Sequence, residues 1–148
     1  MSGKFQARIA ITISVKKMKL FAKSKKCTIN DMVLALVSNI LKEYFDSKND
    51  KNERATLQIP FTFKQVPDKV DDYTYGNCFS ALTLYLKLIK NLDEAINSVK
   101  VLVNEQVKPI APAQYITQSL YTMFFSPKRM EEVCESVGAK HTFTLSNF

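Results

Sequence analysis

At 148 residues and 16.9 kDa, the chain has the length of one domain. Its 46% apolar and 24% charged residues exclude a disordered polymer, which buries too little apolar surface to offset the entropy of ordering; three Gly and five Pro exclude collagen-like and low-complexity chains. The net charge of +7 is uneven: residues 1–26 carry eight basic side chains and no acid, and the remainder sums to −1. Such a face attracts phosphate-bearing partners (nucleic acid, anionic lipid, a phosphorylated cofactor) or keeps the protein solvated.

No window holds the ~18 uncharged apolar residues of a membrane span. The start, Met1-Ser2-Gly3-Lys4 followed by Arg8, lacks the apolar core of a secretory signal. Three Cys, an odd count without paired spacings, argue against a disulfide scaffold and fit a reducing compartment. The expected location is intracellular, cytoplasmic or peripheral to a membrane.

Phe5, Ala7, Ile9, Ile11 and Ile13 alternate with more polar residues, the period of a half-buried strand. Ser14 then caps a short helix over about residues 15–25, in which Val15, Met18, Phe21 and Ala22 form a narrow stripe among lysines. Thr28 opens the strongest helix, with Asp31 in capping-box position and near the helix dipole's positive end. Met32, Val33, Leu36, Val37, Ile40, Leu41, Tyr44 and Phe45 follow at helical spacing, widened by Leu34, so this helix is expected to be buried over much of its surface. Residues 46–53 are a polar loop. Leu57, Ile59, Phe61 and Phe63 alternate as a strand in which Pro60 cannot donate to a ladder, implying an edge or a bulge.

Residues 64–76, with Pro67, Asp71, Asp72 and Gly76, form an irregular loop. From Asn77 to Leu88 the chain is apolar at both parities, the pattern of a central strand covered on both sides. Asn91 and Glu94 cap a helix carrying Leu92, Ile96, Val99, Val103 and Val107, which Pro109 and Pro112 are expected to end. Pro112 starts another helix with Tyr115, Ile116, Leu120 and Met123. Ser126-Pro127 starts a third, which runs to Gly138 as its C′ stop. Residues 141–148 alternate as a last strand, and a chain that ends inside a strand resembles a truncated domain. The order β-α-α-β-β-α-α-α-β predicts an α/β fold, helices packed on a mixed sheet, in a single domain over residues 1–148.

Chemistry is sparse. His141 is the sole histidine, and Cys27, Cys78 and Cys134 lie in no recognisable nucleophile setting. No metal-ligand spacing and no glycine-rich phosphate loop is present, so neither a catalytic nor a metal residue is assigned. Asp71-Asp72 reads as a solvated loop pair. Asn30-Asp31 is more informative: two polar residues at the start of a buried helix are costly unless used, and Asp31 has a use as a cap whereas Asn30 has no evident local one. Gly76-Asn77 reads equally well as a turn or as a functional segment.

Thr28-Ile29-Asn30-Asp31-Met32-Val33-Leu34-Ala35 resembles the T-x-N-D-V-x-L-A motif of the bifunctional wax ester synthase/diacylglycerol acyltransferase family. Ile59-Pro60-Phe61-Thr62-Phe63-Lys64 resembles its V-P-V-S-x-R strand, with Lys in place of Arg. Gly76-Asn77-Cys78-Phe79-Ser80 resembles its G-N-x-x-S segment, and Leu145-Ser146-Asn147-Phe148 the segment preceding P-G-P. The four landmarks stand in the family's order.

The resemblance implies half of a chloramphenicol acetyltransferase-like, CoA-dependent acyltransferase fold, specifically the C-terminal half. In that family an H-H-x-x-x-D-G motif of the N-terminal half supplies the general base; this chain has no such motif. Asn30 and Asp31 would support the active site structurally, and Pro60, Gly76, Asn77, Ser146 and Asn147 would shape the channel. No bound cofactor is implied; acyl-CoA is the family's substrate. The implied function is acyl transfer from acyl-CoA to a long-chain alcohol or diacylglycerol, inactive in this chain alone. The competing reading is a catalytically dead binding or structural subunit. The implied partner is the N-terminal half, in cis or trans, or a second copy, because a lone half exposes an apolar patch. Residues 14–26 could meet a membrane or lipid surface. Nucleic acid is disfavoured, since Tyr44, Tyr73 and Tyr75 do not interleave with the lysines as stacking platforms.

Overall fold

The computed structural model describes residues 12–62 and 79–146. The expected strand over residues 5–13 lies outside them except for Thr12 and Ile13, which form no strand, and the loop 64–76 lies outside them entirely.

Helix α1 spans Val15–Ser24, with the Ser14 side chain accepting from the Lys17 N–H at 3.5 Å. It closes in a Schellman arrangement: Cys27 N–H bonds to Ala22 O and Lys26 N–H to Lys23 O, with Lys26 in the left-handed region at φ 51°. Helix α2 spans Ile29–Ser47 and begins in the expected capping box. Asp31 N–H donates to Thr28 Oγ1 at 3.1 Å, and Thr28 N–H donates to the Asp31 carboxylate at 2.9 Å.

Strand β1 (Arg54–Thr62) pairs antiparallel with β2 (Phe79–Lys87) along its whole length. It pairs in parallel with the short β3 (Phe143–Thr144) at Leu57↔Phe143 and Gln58↔Thr144. The result is a mixed sheet of order β2-β1-β3. Among the described residues the last strand is thus two residues long, Phe143–Thr144, rather than the expected run over 141–148, of which residues 147 and 148 lie outside the described residues.

β1 lies between the other two, yet Pro60 still occupies an edge. Thr142 N–H donates to Thr56 O and Leu145 N–H to Gln58 O, so the even-numbered residues of β1 turn their backbone groups towards β3. Pro60 is the next in that series and lies past the pairs made with β3, where among the described residues no strand needs its donor.

Side chains of Ala55, Leu57, Ile59 and Phe61 share one face with their partners Leu86, Leu84, Leu82 and Ser80. Helix α2 packs against α3 (Leu92–Leu102), and α3 and α4 (Lys108–Phe124) pack against β2. Leu34, Ala35, Leu57, Leu84, Leu86, Ile96 and Val99 form the core between these layers. Each Leu, Ile or Val buried there contributes about 1.5–3 kcal/mol. The opposite face of β2 carries exposed Thr83, Tyr85 and Lys87. Among the described residues β2 is therefore covered on one side and lies at the end of the sheet, not between two layers as its sequence suggests.

The largest departure from the sequence reading lies at Pro109 and Pro112. The chain does not break there. Helix α3 passes through a π-turn, Val103–Val107, directly into α4. Lys108 N–H reaches back five residues to Val103 O, and the widened turn makes room for the Pro109 ring, which in a regular α-turn would crowd a carbonyl four residues back. Helix α5 spans Pro127–Gly138, with Ser126 accepting from Arg129 N–H at 3.3 Å. Gly138 is the last helical residue with Ala139 as the cap, so its freedom to adopt positive φ is not used.

The chain is mixed α/β. No helix among the described residues is long and apolar enough to cross a membrane.

Candidate functional site

A cavity of about 800 Å³ opens between the start of α2, the far end of β1, the π-turn and the residues after β3. Val33, Leu34, Ile59, Phe61, Leu84, Val103, Val107 and Leu145 make its wall mostly apolar. Its size is that of a site for a drug-sized or chain-like ligand. Polar groups stand at its borders: Thr28, Asn30, Asp31, Thr62, Lys100, Asn104, Lys108 and Ser146.

Four of the seven residues singled out from the sequence meet here. Asn30, Asp31, Pro60 and Ser146 come from three separate stretches of chain, and all line this cavity. Gly76, Asn77 and Asn147 lie outside the described residues. Asp31 is buried and its carboxylate is engaged by the Thr28 N–H; it anchors the helix start that forms one wall. Asn30 is exposed beside it.

The sequence reading missed the wall supplied by the π-turn. Val103, Asn104, Val107 and Lys108 enter the cavity because the helix continues past Pro109, and Lys108 Nζ donates to Asn104 Oδ1 at 2.7 Å. The available signal was two prolines three residues apart inside an unbroken helical pattern, since a π-bulge, though rare, occurs inside α-helices and frequently at functional sites.

Beside the cavity lies a more open cleft of about 480 Å³ at the corner of α1 and α2, lined by Lys19, Lys23, Lys26 and Cys27; Thr28 and Asp31 line both spaces. Burial pushes the Cys27 thiol up, and the Asp31 carboxylate pushes in the same direction against a smaller opposing pull from Lys100. Cys27 is therefore a neutral thiol near neutral pH.

No family model, curated protein or solved structure matches this chain.

His141 stands apart from the cavity. Its Nε2 is 2.7 Å from Thr83 Oγ1, and its Nδ1 is buried without a hydrogen-bond partner among the described residues. The ionisable residues lining the cavity are Asp31, Lys100 and Lys108, of which Asp31 is committed to its cap. Among the described residues no group of three or more His, Cys, Asp or Glu side chains gathers as a metal site. The arrangement suits holding an apolar chain with a polar end at the border.

Proposed function

We propose that this chain is the C-terminal half of a CoA-dependent O-acyltransferase of the wax ester synthase/diacylglycerol acyltransferase type, half of a chloramphenicol acetyltransferase-like fold. The single observation that supports the reading is the convergence of Asn30, Asp31, Pro60 and Ser146 on one largely apolar cavity of about 800 Å³. These are residues of three of the four segments that resemble the family, and they are far apart in sequence.

In this reading the cavity holds the acyl chain of acyl-CoA. A histidine outside this chain removes the proton of a long-chain alcohol or of diacylglycerol. The alkoxide forms the ester C–O bond at the thioester carbonyl as the C–S bond breaks, and the CoA thiolate leaves and takes up a proton. Asp31 holds the α2 start that shapes the wall. The half that carries the base also covers the strip of Ile116, Leu120, Met123 and Phe124, which α4 leaves exposed.

The test is an acyl-transfer assay with radiolabelled palmitoyl-CoA and either hexadecanol or dioleoylglycerol. The native polypeptide containing this sequence, captured with an antibody to it, is expected to form ester. The 148-residue chain alone is expected to form none. Turnover by the chain alone would overturn the assignment of the base. Absence of ester from the native polypeptide, with acyl-CoA still bound, would leave a catalytically dead binding subunit.

A further inference from the structure

The lysine-lined cleft beside the cavity points to the head group of the ligand. We infer that the cleft and the cavity together form one site for a single-chain amphiphile with a phosphate-bearing head: the chain in the cavity, the phosphate among Lys19, Lys23 and Lys26. The inference rests on the reading of the cavity as an acyl-chain site.

Lys19 and Lys23 are one turn apart on one side of α1, Lys26 stands just past the end of that helix, and all three line the cleft. Among the described residues none of them is in an ion pair, although their neighbour Lys25 is bound to Asp93 at 2.5 Å. Three lysines around one recess, without an ion pair among the described residues, complement a doubly charged phosphate and do little for each other except repel. Lys26 is held there by a left-handed backbone (φ 51°) that a lysine adopts at a cost. The cleft's one thiol is neutral, for the reasons given above, and offers the anion no opposition. Asp31, on the shared border, accepts from the Thr28 N–H at 2.9 Å, and the three lysines outnumber it around the cleft. Thr28 and Asp31 are the common wall, so a head in the cleft and a chain in the cavity are in reach of one molecule.

The experiment compares the binding of oleoyl lysophosphatidate and of monooleoylglycerol, which share one acyl chain and differ in the phosphate, below their micelle concentrations. Wild-type chain in 50 mM salt is expected to prefer the phosphate lipid by about tenfold or more, and 500 mM salt should abolish most of that preference through screening. The K19Q/K23Q/K26Q variant should bring the ratio near one while monooleoylglycerol binds as before. A control with the same net charge, K17Q/K51Q/K87Q, should keep the preference. Equal binding of both lipids by wild-type chain would overturn this inference and leave the acyl cavity standing. Failure of both lipids to bind would overturn both readings. Displacement of lysophosphatidate by millimolar inorganic phosphate, with monooleoylglycerol not binding, would assign the cleft to free phosphate instead. The salt series on wild-type chain decides the matter even if the triple variant does not fold.

Discussion

Ser38 joins helix α2 to the end of β2, and its replacement by Ala is a severe test of how the layers are held. The side chain is fully buried. Its hydroxyl donates to Lys87 O at 2.6 Å and accepts from Ile89 N–H at 3.0 Å. Alanine leaves the Ile89 N–H orphaned in a buried segment, a loss of about 1–3 kcal/mol. The Lys87 carbonyl, at an exposed residue, can turn to water, so its loss is smaller. Alanine's better helix propensity returns about 0.5 kcal/mol. The net destabilisation is therefore about 2 kcal/mol, a large share of the roughly 5–15 kcal/mol that holds a domain together. Urea unfolding followed by circular dichroism should show a midpoint lower by about 1 M at the usual slope of ~1–3 kcal/mol/M, and the Ile89 amide should exchange faster than in wild-type chain. A change below about 0.5 kcal/mol with unchanged exchange at Ile89 would refute the claim that this hydroxyl joins the two layers.

Three further outcomes follow from the same structure. Asp46 accepts from Lys42 at 2.7 Å and from Lys90 at 2.8 Å; the hydrogen bond from Lys42, then that from Lys90, holds its carboxyl below the usual range. A depressed carboxylate stabilises above its unfolded value and loses that contribution as pH falls through the folded value, so urea midpoints of wild-type chain should drop below about pH 4 more steeply than those of Asp46→Asn. Lys90 is raised by the same bond to Asp46, and its contribution, present below the ordinary lysine value of about 10.4, is lost as pH rises through the raised one. Gly138→Ala should stabilise by about 0.5–1 kcal/mol in the same assay, because the position is helical and a Cβ there meets nothing within 4 Å; destabilisation would show that the glycine is used. Finally, Met123 and Phe124 are three-quarters exposed, so light scattering of the isolated chain should reveal concentration-dependent association that M123D/F124D reduces. A wild-type monomer at all concentrations would count against a covered α4 face.

Local chemistry alone determined a good deal of this protein. The capping box of Thr28 and Asp31, the caps at Ser14, Asn91 and Ser126, the helices from Val15, Ile29, Leu92 and Pro127, and the strands around Leu57 and Leu82 are readable because each depends on contacts within a few residues. The α/β class follows from their order. What only the tertiary structure decided depends on neighbours distant in sequence. The run from Phe79 to Leu88 reads as doubly buried because Ala81 and Tyr85 add apolar character to its outer parity, yet α2, α3 and α4 cover only the face of Leu82, Leu84 and Leu86 among the described residues. Pro109 and Pro112 read as helix ends because a proline lacks the donor of a regular turn. The register shift of a π-turn, in a helix held against β2 at one end of its run and α2 at the other, makes room for Pro109 at the start of α4, and the helix runs on with Pro112 inside it. The same shift brings Val103 and Val107 opposite Ile59 and Leu145, and so builds the cavity. Asn30, Pro60 and Ser146 could be picked out one by one as residues of recognisable segments, but their shared wall exists only because β3 pairs with β1 at Leu57 and Gln58 and sets Ser146 beside the start of α2.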